Sequence, residues 1–372
     1  MSRSPIASLE GRATRVLVLF GSDGIGGIER RLSILTDAFE EVGLVCELVA
    51  LTGASAERGL LSHRSITVLD PVRSRSPWRS LRRAGRLRRL IQERRIEAVL
   101  AFGHFANALA SVAAAGLGVH VVLSEIVSPF TSRRRLWNRT VMHSYALADS
   151  LVLQTDRLAA DIAALPGPPR RLVIANPIAL DLLDDTAPPV PRAPRIIASG
   201  RLVRHKRYHD LVEAFALLAP EFPEWSVEIL GDGPERGALA RLVQARGLDG
   251  RVTLAGHVQQ PWVQMRQARI VAHCAEIEGF CNTLVEALAA GCAVVSSDCP
   301  YGPREILGDT GNLLYPPGDV GALAAQLRLM MSDAVRCESA ARTGRASLER
   351  FTVTRIRQQW LDELAHGRPS RP

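Results

Sequence analysis

Short apolar segments typical of buried strands alternate with helical patterns along most of the 372 residues, and this alternation limits the possible fold more than any other feature. The first segment, RVLVLF at 15–20, is a continuous apolar run of the kind that forms a buried parallel strand. Because strands that alternate with helices form parallel sheets covered on both faces, we predict an α/β fold. The other strands predicted in the first half are 46–51, 66–69, 98–102, 120–124 and 150–154.

A proline-rich segment interrupts the alternation. DDTAPPVPRAPR at 184–195 contains four prolines in twelve residues, which neither a helix nor a central strand tolerates. The alternation then resumes with predicted strands at 195–200, 226–231, 252–256, 270–274 and 293–297. We therefore predict two doubly wound Rossmann-like domains that face each other across a cleft. The predicted boundaries are a tail at 1–14, a first domain at 15–183, a linker at 184–194, a second domain at 195–350, and a C-terminal helix and tail at 351–372 that cross back to the first domain.

Composition and cysteine spacing exclude several classes of protein. The most apolar window, 105–123, contains Asn107, two glycines and His120, so it predicts a helix followed by a strand rather than a membrane span. Residues 1–15 have no apolar run and do not resemble a signal peptide. The six cysteines form no CxxC pair and no metal-ligand spacing, so we expect small buried thiols in a reducing cytoplasm.

The positive charge is concentrated in one segment. Residues 73–95 contain ten arginines and a single acidic residue, Glu93. Trp78, Leu81 and further apolar residues recur there at helical spacing, which predicts an amphipathic basic helix. No aromatic platform or zinc finger accompanies the arginines, so we expect no nucleic acid partner. An anionic membrane surface, a polyanionic substrate and a merely solvated face remain as alternatives.

Two cations and two glycines follow predicted strands of the second domain. Arg201 lies just past one strand, and Lys206 lies in the loop before the next helix. Both are therefore expected outside the carboxyl edge of the sheet, where open parallel sheets bind ligands. Gly231 and Gly233 follow the next strand and let a ligand approach the backbone. Such cations, glycine loops and helix N-termini together suit a diphosphate, although a loop cation alone is usually only solvated.

The segment EGFCNTLVEA at 278–287 places two glutamates eight residues apart, with a helix predicted to begin near Asn282. The backbone amides of 279–283 can receive a phosphate at this helix N-terminus. Glu286 can accept hydrogen bonds from the vicinal hydroxyls of a ribose, and Glu278 from those of a second sugar. Each such charge-assisted bond is worth about 1.5–3 kcal/mol. Two carboxylates flanking a diphosphate match the two ends of a nucleotide sugar.

These motifs together resemble those of the retaining glycosyltransferases of the GT-B fold, in glycosyltransferase family four. The similar stretches are GRLVRHK (200–206), LGDGPER (230–236), EGFCNTLVEALAAGCAVVSSDCP (278–300), GPREIL (302–307), GGIER (26–30) and NPI (176–178). The resemblance implies that Arg201, Lys206 and Glu278 are the catalytic residues. The donor-binding residues that it implies are Gly26, Gly27, Gly231, Gly233, Gly279, Phe280, Asn282, Thr283, Leu284 and Glu286.

The resemblance also implies an activity. Such an enzyme transfers a hexose or N-acetylhexosamine, with UDP-sugar as the favoured donor, to a glycan or lipid-linked saccharide with retention of configuration. It serves polysaccharide or glycoconjugate synthesis and needs neither a cofactor nor a metal, because two cations and helix dipoles neutralise the diphosphate. We expect the protein in the cytoplasm, peripheral to the inner face of the membrane, with residues 73–95 against anionic lipids.

The chain departs from the family pattern at several positions of the second domain. Cys274 and Ala275 replace the usual pair of small hydroxyl residues before the first glutamate, and Cys281 replaces the common proline. These changes are expected to alter the sugar pocket but not the diphosphate contacts. His273 lies within a predicted strand and is expected to be packed rather than functional.

The first domain provides two candidates for the acceptor side. LSEIVSP at 123–129 resembles the SER segment of relatives that act on lipid-linked sugars, with Ile126 in place of the arginine. Glu125 belongs to this segment, and His104 follows a strand end. An ordinary loop histidine is the alternative for His104.

Three other functions compete with glycosyl transfer. A nicotinamide-dependent oxidoreductase would need a third glycine where Glu29 stands and an acidic residue at the end of the strand at 46–51. A nucleotide-sugar epimerase or a non-catalytic binder of the same fold would keep the diphosphate site without transferring to an acceptor. A basic polyanion-binding module would bind with steep salt dependence and without preference for nucleotide sugars.

Overall fold

The computed structural model describes residues 14–21, 27–53, 61, 63–72, 76–125, 141–168, 170–178 and 191–366. By its contacts the chain divides into two compact units. The first unit comprises Met1–Pro177 together with Val353–Pro372, and the second comprises Ile178–Thr352. Helix Val353–His366 therefore belongs to the first unit although it is the last helix of the chain.

In the described part of the first unit, seven strands form one parallel sheet in the order β3-β2-β1-β4-β5-β6-β7. The strands are β1 (Arg15–Phe20), β2 (Val45–Thr52), β3 (Ile66–Asp70), β4 (Ala98–Phe102), β5 (His120–Ser124), β6 (Ser150–Leu153) and β7 (Arg170–Val173). The α-helices are α1 (Gly27–Glu40), α2 (Pro77–Glu93), α3 (His104–Ala114), α4 (Asp156–Asp161) and α12 (Val353–His366), with a 3-10 helix at His143–Leu147. Strands β1, β4 and β5 are mainly apolar and, apart from the exposed Arg15, are buried, as a sheet covered on both faces requires.

The C-terminal helix α12 supplies part of the core of the first unit. Trp360 is fully buried, and its ring lies 5.7 Å from that of Phe102 at the end of β4. Glu363 on the same helix is also buried and accepts a hydrogen bond from Arg170 Nε at 2.7 Å. Burying Trp360 removes a large apolar surface from water, so the first unit depends on this segment from the far end of the chain.

Arg31 of α1 is buried beside the same aromatic rings. Its guanidinium carbon lies 5.0 Å from the centre of the Phe102 ring and 5.6 Å from that of Trp360. Burial lowers the pKa of Arg31 to about 9. Contact with two aromatic faces offsets part of the cost of burying this cation.

In the described part of the second unit, six strands form a second parallel sheet in the order β10-β9-β8-β11-β12-β13. The strands are β8 (Ala193–Ser199), β9 (Ser226–Leu230), β10 (Val252–Gly256), β11 (Ala268–His273), β12 (Ala293–Ser297) and β13 (Leu313–Tyr315). The α-helices are α5 (Tyr208–Leu218), α6 (Arg236–Ala245), α7 (Pro261–Met265), α8 (Asn282–Ala289), α9 (Pro303–Leu307), α10 (Val320–Ser332) and α11 (Ala334–Ala346), with 3-10 helices at Arg204–Lys206 and Ser347–Phe351. Phe215 and Trp225 are among the largest side chains of its core.

Each sheet reverses its direction of winding at one pair of strands. In the first unit the reversal lies between β1 and β4, and in the second between β8 and β11. Loops that leave the carboxyl ends of such a pair diverge to opposite faces of the sheet, and the crevice between them is where doubly wound sheets bind ligands. The loop after β8 carries Arg201 and Lys206, and the loop after β11 carries Glu278.

The predicted fold class, with two doubly wound parallel sheets, is confirmed. The strands predicted from the sequence agree with the structure to within two residues at each end, whereas β7 and β13 were not predicted. Strand β8 begins at Ala193, so the last two residues of the predicted linker belong to the strand. Residues 179–190, which include most of that linker, lie outside the described residues.

Candidate active site

The loops after β8 and β11 bring Lys206 and Glu278 together. Lys206 Nζ donates a hydrogen bond to Glu278 Oε1, and the two side chains are 17% and 15% exposed. The loops are also joined through their backbones, because Glu276 N donates to the His205 carbonyl oxygen at 2.8 Å. The neighbouring Arg201 is exposed at the start of the first loop. A cation and a carboxylate that are distant in sequence thus lie at the carboxyl edge of the second sheet.

The ion pair determines the charge of both groups. Burial alone would raise the pKa of Glu278, but the Lys206 ammonium and the His273 imidazole together lower it to about 2. Burial alone would lower the pKa of Lys206, but the Glu278 carboxylate raises it above its ordinary value. Both groups are therefore charged at neutral pH. A charged pair held at a sheet edge can bind a ligand that offers an anion on one side and hydroxyl groups on the other.

His273 is packed, as expected, and it also contacts the Glu278 carboxylate. The last residue of β11, it is buried, and its Nε2 lies 3.1 Å from Glu278 Oε1. Its Nδ1 lies 3.0 Å from the Ser296 hydroxyl on β12. Burial lowers the pKa of His273, so the imidazole is neutral at pH 7. The sequence offered only one signal of this contact, a histidine at the end of a strand, five residues before the glutamate.

Gly231 and Gly233, in the loop after β9, allow two loops of the second unit to pack closely. A Cβ atom at Gly231 would lie 1.9 Å from the Gly200 carbonyl oxygen, and one at Gly233 would lie 2.4 Å from that of Leu202. Leu202 N also donates to the Asp232 carbonyl oxygen at 2.9 Å. The loops after β8 and β9 thus pack backbone against backbone. The structure thus gives both glycines a packing role, and whether they also let a ligand approach the backbone stays a prediction.

Helix α8 begins at the predicted place, directly after Cys281, whose backbone has a φ of 71° and a ψ of 66°. Gly279, Asn282, Thr283 and Glu286 are all half-buried and lie in the loop or in the first turns of the helix. The α8 N-terminus thus begins four residues after Glu278, which places a helix dipole beside the ion pair.

Two residues of the predicted donor-binding set have buried side chains. Leu284 is fully buried, and its N–H donates to the Cys281 carbonyl oxygen at 3.1 Å. Phe280 is buried and packs edge to face on Phe351, with ring centres 5.5 Å apart. Their side chains therefore pack beneath the loop, and whether these two residues contribute to donor binding stays a prediction.

Of the two first-domain glycines, Gly27 is the first residue of α1, and Gly26 lies outside the described residues. Whether this pair covers a phosphate stays a prediction.

In the first unit the structure brings His104 and Glu125 together, as neighbours at the carboxyl ends of β4 and β5. His104 Nδ1 lies 3.3 Å from Glu125 Oε2. Tyr145, which the sequence analysis did not single out, donates to the same carboxylate oxygen at 2.7 Å and lies 3.0 Å from His104 Nδ1. Asn107 donates to the Ser124 carbonyl oxygen at 3.1 Å. Glu125, Tyr145 and Asn107 are all buried. This cluster fixes the imidazole of a half-buried histidine beside a buried carboxylate.

Among the residues that the structure describes, one set of metal-type ligands occurs, at the ion pair of the second unit. His273, Glu278 and Cys281 bring a nitrogen, an oxygen and a sulfur atom within 4.8 Å of one another. Burial raises the pKa of Cys281, so its thiol is protonated, and the Lys206 ammonium is bonded to Glu278. A divalent cation would have to displace both the ammonium and the thiol proton. The prediction that the protein needs no metal stays a prediction.

The basic segment forms the amphipathic helix α2, but its arginines do not all face solvent. Arg83 pairs with Asp70 at 3.2 Å and donates to the Val72 carbonyl oxygen at 2.8 Å. Arg86 and Arg88 likewise donate to backbone carbonyl oxygens of neighbouring segments. Much of the charge therefore holds α2 onto the first unit. Arg73 and Arg75 lie outside the described residues.

The exposed part of α2 combines apolar and basic side chains. Trp78 is 77% exposed and Leu81 62% exposed. Arg82 and Arg89 are exposed on the same helix. In the part of the chain that the structure describes, no helix is both long enough and apolar enough to cross a bilayer.

Sequence models of known protein families match both units of the chain. The sequence model of the family "Glycosyl transferases group 1" matches residues 186–350, and that of the "Glycosyl transferase 4-like domain" matches 26–177. HepE of Anabaena, solved in complex with UDP, has a TM-score of 0.80 at 21% identity, with 95% of this chain and 100% of that chain covered. The fold is thus the GT-B fold. Since the two family models together cover most of the chain, the protein belongs to the group 1 glycosyltransferases.

Curated relatives match parts of the sequence. An exopolysaccharide phosphotransferase of Streptomyces coelicolor is 35% identical over 170 residues, which are 44% of this chain and 18% of the relative. The N-acetylgalactosamine-N,N'-diacetylbacillosaminyl-diphospho-undecaprenol 4-alpha-N-acetylgalactosaminyltransferase of Campylobacter jejuni is 32% identical over 139 residues, 37% of each protein. The chain thus spans well under half the length of these two relatives.

Proposed function

We propose that the protein transfers a hexose or N-acetylhexosamine from a UDP-sugar to a saccharide acceptor with retention of configuration. One observation carries this proposal. At the carboxyl edge of the second sheet, at its reversal point, Lys206 and Glu278 form an ion pair beside the N-terminus of α8. Membership of the group 1 glycosyltransferases supports it. A nucleotide sugar offers the two chemical groups that this pair suits, a diphosphate for the ammonium and sugar hydroxyls for the carboxylate.

The cations act on the leaving group. As the bond between the anomeric carbon and the diphosphate oxygen breaks, negative charge grows on the diphosphate, and Lys206 and Arg201 stabilise it in the transition state. The acceptor oxygen forms its bond to the anomeric carbon on the same face of the sugar. The proton of the acceptor hydroxyl passes to a diphosphate oxygen, so this step needs no metal. Glu286 holds the ribose hydroxyls, and Glu278 holds those of the transferred sugar.

The identities of donor and acceptor rest on relatives. HepE, which shares the fold, was solved with UDP, which supports uridine as the donor base. The Campylobacter relative is named for the transfer of N-acetylgalactosamine to a sugar on diphospho-undecaprenol, and the Streptomyces relative for exopolysaccharide. These names support a glycan or lipid-linked saccharide acceptor in polysaccharide or glycoconjugate synthesis.

The acceptor side is proposed to include His104 and Glu125. Tyr145 has a single hydroxyl proton, which it donates to Glu125 at 2.7 Å. His104 Nδ1 therefore faces two oxygen acceptors, one from Tyr145 and one from Glu125, and must carry a proton. When the imidazole is neutral, His104 Nε2 then has a free lone pair. We propose that this nitrogen, which is buried and has no hydrogen-bond partner among the described residues, accepts a hydrogen bond from a saccharide hydroxyl.

We also propose that the protein is cytoplasmic and peripheral at the inner face of a membrane, held by the exposed part of α2. Apolar side chains such as Trp78 enter the boundary of the lipid layer, while arginines beside them contact anionic headgroups.

The membrane proposal is tested with liposomes that contain anionic lipid. Reversing both Arg82 and Arg89 to glutamate removes two favourable charges of about 1 kcal/mol each and adds repulsion, so we expect binding to weaken at least about 25-fold. Cosedimentation of the protein with the liposomes measures the binding. The control reverses Arg241 and Arg342, two exposed arginines of the second unit. Equal weakening by both pairs would show that net charge alone acts, and no weakening by either would exclude membrane contact through α2.

The proposed activity is tested by incubating the protein with UDP-sugars and an oligosaccharide acceptor. Release of UDP that depends on the acceptor, together with a product whose anomeric configuration by NMR equals that of the donor, is the expected result. An inverted product would contradict retention. UDP-sugar binding without release of UDP would instead indicate a non-catalytic binder, and a changed sugar on intact UDP an epimerase.

A further inference from the structure

We propose that His273 is a positioning residue for donor binding: it holds the Glu278 carboxylate toward the transferred sugar after Lys206 has turned to the diphosphate. This inference rests on the proposed function. Glu278 Oε1 accepts a hydrogen bond from Lys206 Nζ and lies 3.1 Å from His273 Nε2. The Lys206 ammonium has three N–H donors, and the diphosphate of a bound donor competes with Glu278 for them. Once Lys206 turns away, His273 is the remaining donor of this pair.

The position of His273 follows from the register of the sheet. Its Cα is paired with that of Ser296 on the neighbouring strand β12. Ser296 Oγ lies 3.0 Å from His273 Nδ1, and both residues are buried. The imidazole is thus held by a strand partner on one side and reaches Glu278 on the other. Rigid strands place a side chain more accurately than a loop can.

The contacts also determine which nitrogen carries the proton. Burial keeps the imidazole neutral, so only one of its two nitrogens is a donor. An unprotonated Nε2 would turn a lone pair toward the negatively charged Glu278 carboxylate at 3.1 Å, which is repulsive. Nε2 therefore carries the proton and donates to Glu278. Nδ1 then accepts the single proton of the Ser296 hydroxyl, in place of the Ser297 carbonyl oxygen, which lies 2.9 Å from the same hydroxyl.

The backbone around Glu278 is anchored independently of this histidine. Glu278 N donates to the Pro300 carbonyl oxygen at 2.9 Å, and Tyr301 N donates to the Glu278 carbonyl oxygen at 3.4 Å. Loss of the imidazole should therefore free the Glu278 side chain and leave its loop in place. His273 would then affect the sugar end of the donor and not the nucleotide end.

The experiment compares UDP with UDP-sugar in calorimetric titrations of wild type, His273→Leu and His273→Gln. In His273→Leu we expect the Kd of UDP to change less than twofold. The additional affinity of UDP-sugar over UDP should fall about tenfold, and kcat should fall with it. The amide nitrogen of glutamine can replace Nε2 as the donor, so His273→Gln should recover most of both losses. Ser296→Ala, which removes the partner of Nδ1, should reproduce the loss in a milder form.

The outcomes separate this inference from the proposed function. If wild type transfers sugar and both His273→Leu and Ser296→Ala bind UDP-sugar as wild type does, the positioning role is wrong. If the variants weaken UDP and UDP-sugar equally, or if glutamine restores nothing, His273 has only a structural role and the inference is also overturned. If wild type binds no nucleotide at all, the proposed function itself fails.

Discussion

Replacing Lys206 by methionine is expected to lower kcat/KM for the UDP-sugar about 10²–10³-fold, because a preorganised cation at the leaving diphosphate is worth about 2.7–4 kcal/mol in the transition state. Methionine keeps the length of the aliphatic chain and removes the charge. Most of the loss should appear in kcat, since charge on the diphosphate grows as its bond to the sugar breaks. Steady-state rates of UDP release measure both constants.

The matched control for this change is Arg204→Met. Arg204 lies in the same 3-10 turn, two residues before Lys206, and is exposed. The Arg204→Met variant loses one positive charge, as Lys206→Met does, at almost the same place in the chain. Because Arg204 is exposed and its charge is screened, we expect kcat/KM of this variant to change less than about threefold. A Lys206→Met enzyme as active as Arg204→Met would show that the ion pair with Glu278 is purely structural.

Replacing Gly231 by alanine is expected to destabilise the second unit by about 3 kcal/mol or more. The added Cβ would lie 1.9 Å from the Gly200 carbonyl oxygen. Gly231 cannot move away freely, because its N–H donates to the Gly256 carbonyl oxygen at 2.7 Å on the other side. Two backbones must therefore separate, which places the change among the most damaging classes of substitution. Urea unfolding followed by circular dichroism measures the loss.

Gly250→Ala separates this steric effect from backbone strain. Both glycines have a positive φ, 150° at Gly231 and 77° at Gly250, but a Cβ atom at Gly250 would meet no atom within 4 Å. Gly250→Ala should lower the free energy of unfolding by only about 1–2 kcal/mol, which is the cost of an alanine in the left-handed conformation. Equal losses for the two variants would contradict the close packing of the loops after β8 and β9.

The sequence predicted the sheets well because their strands are continuous apolar runs, as in β1 and β4. It missed β7, whose first two residues are arginines, and β13, which has three residues. It also missed α11, because the segment AVRCESAARTGRA has no continuous apolar stripe. Short or polar elements are formed by their tertiary partners, and a single sequence does not contain that information locally.

The candidate site was predicted unevenly for a similar reason. Loop position after a strand sufficed to place Lys206 and Glu278 at one sheet edge. The contact between His273 and Glu278 depends on the pairing of β11 with β12 and on the path of the following loop, so no local pattern revealed it. For the arginines of α2, the sequence pattern suggested a larger binding surface than the structure has, since several of them donate to backbone carbonyl oxygens.

The measurement that tests the central claim most directly is calorimetric titration of the protein with UDP, GDP, ADP and NAD, repeated with Glu286→Ala and with the exposed control Glu338→Ala. The account predicts that UDP binds and that Glu286→Ala weakens UDP about 10–100-fold, since a charge-assisted hydrogen bond to the ribose is worth about 1.5–3 kcal/mol. Glu338→Ala should bind as wild type does. Binding of NAD alone, or UDP binding that is indifferent to Glu286, would contradict a nucleotide-sugar site at the carboxyl edge of the second sheet.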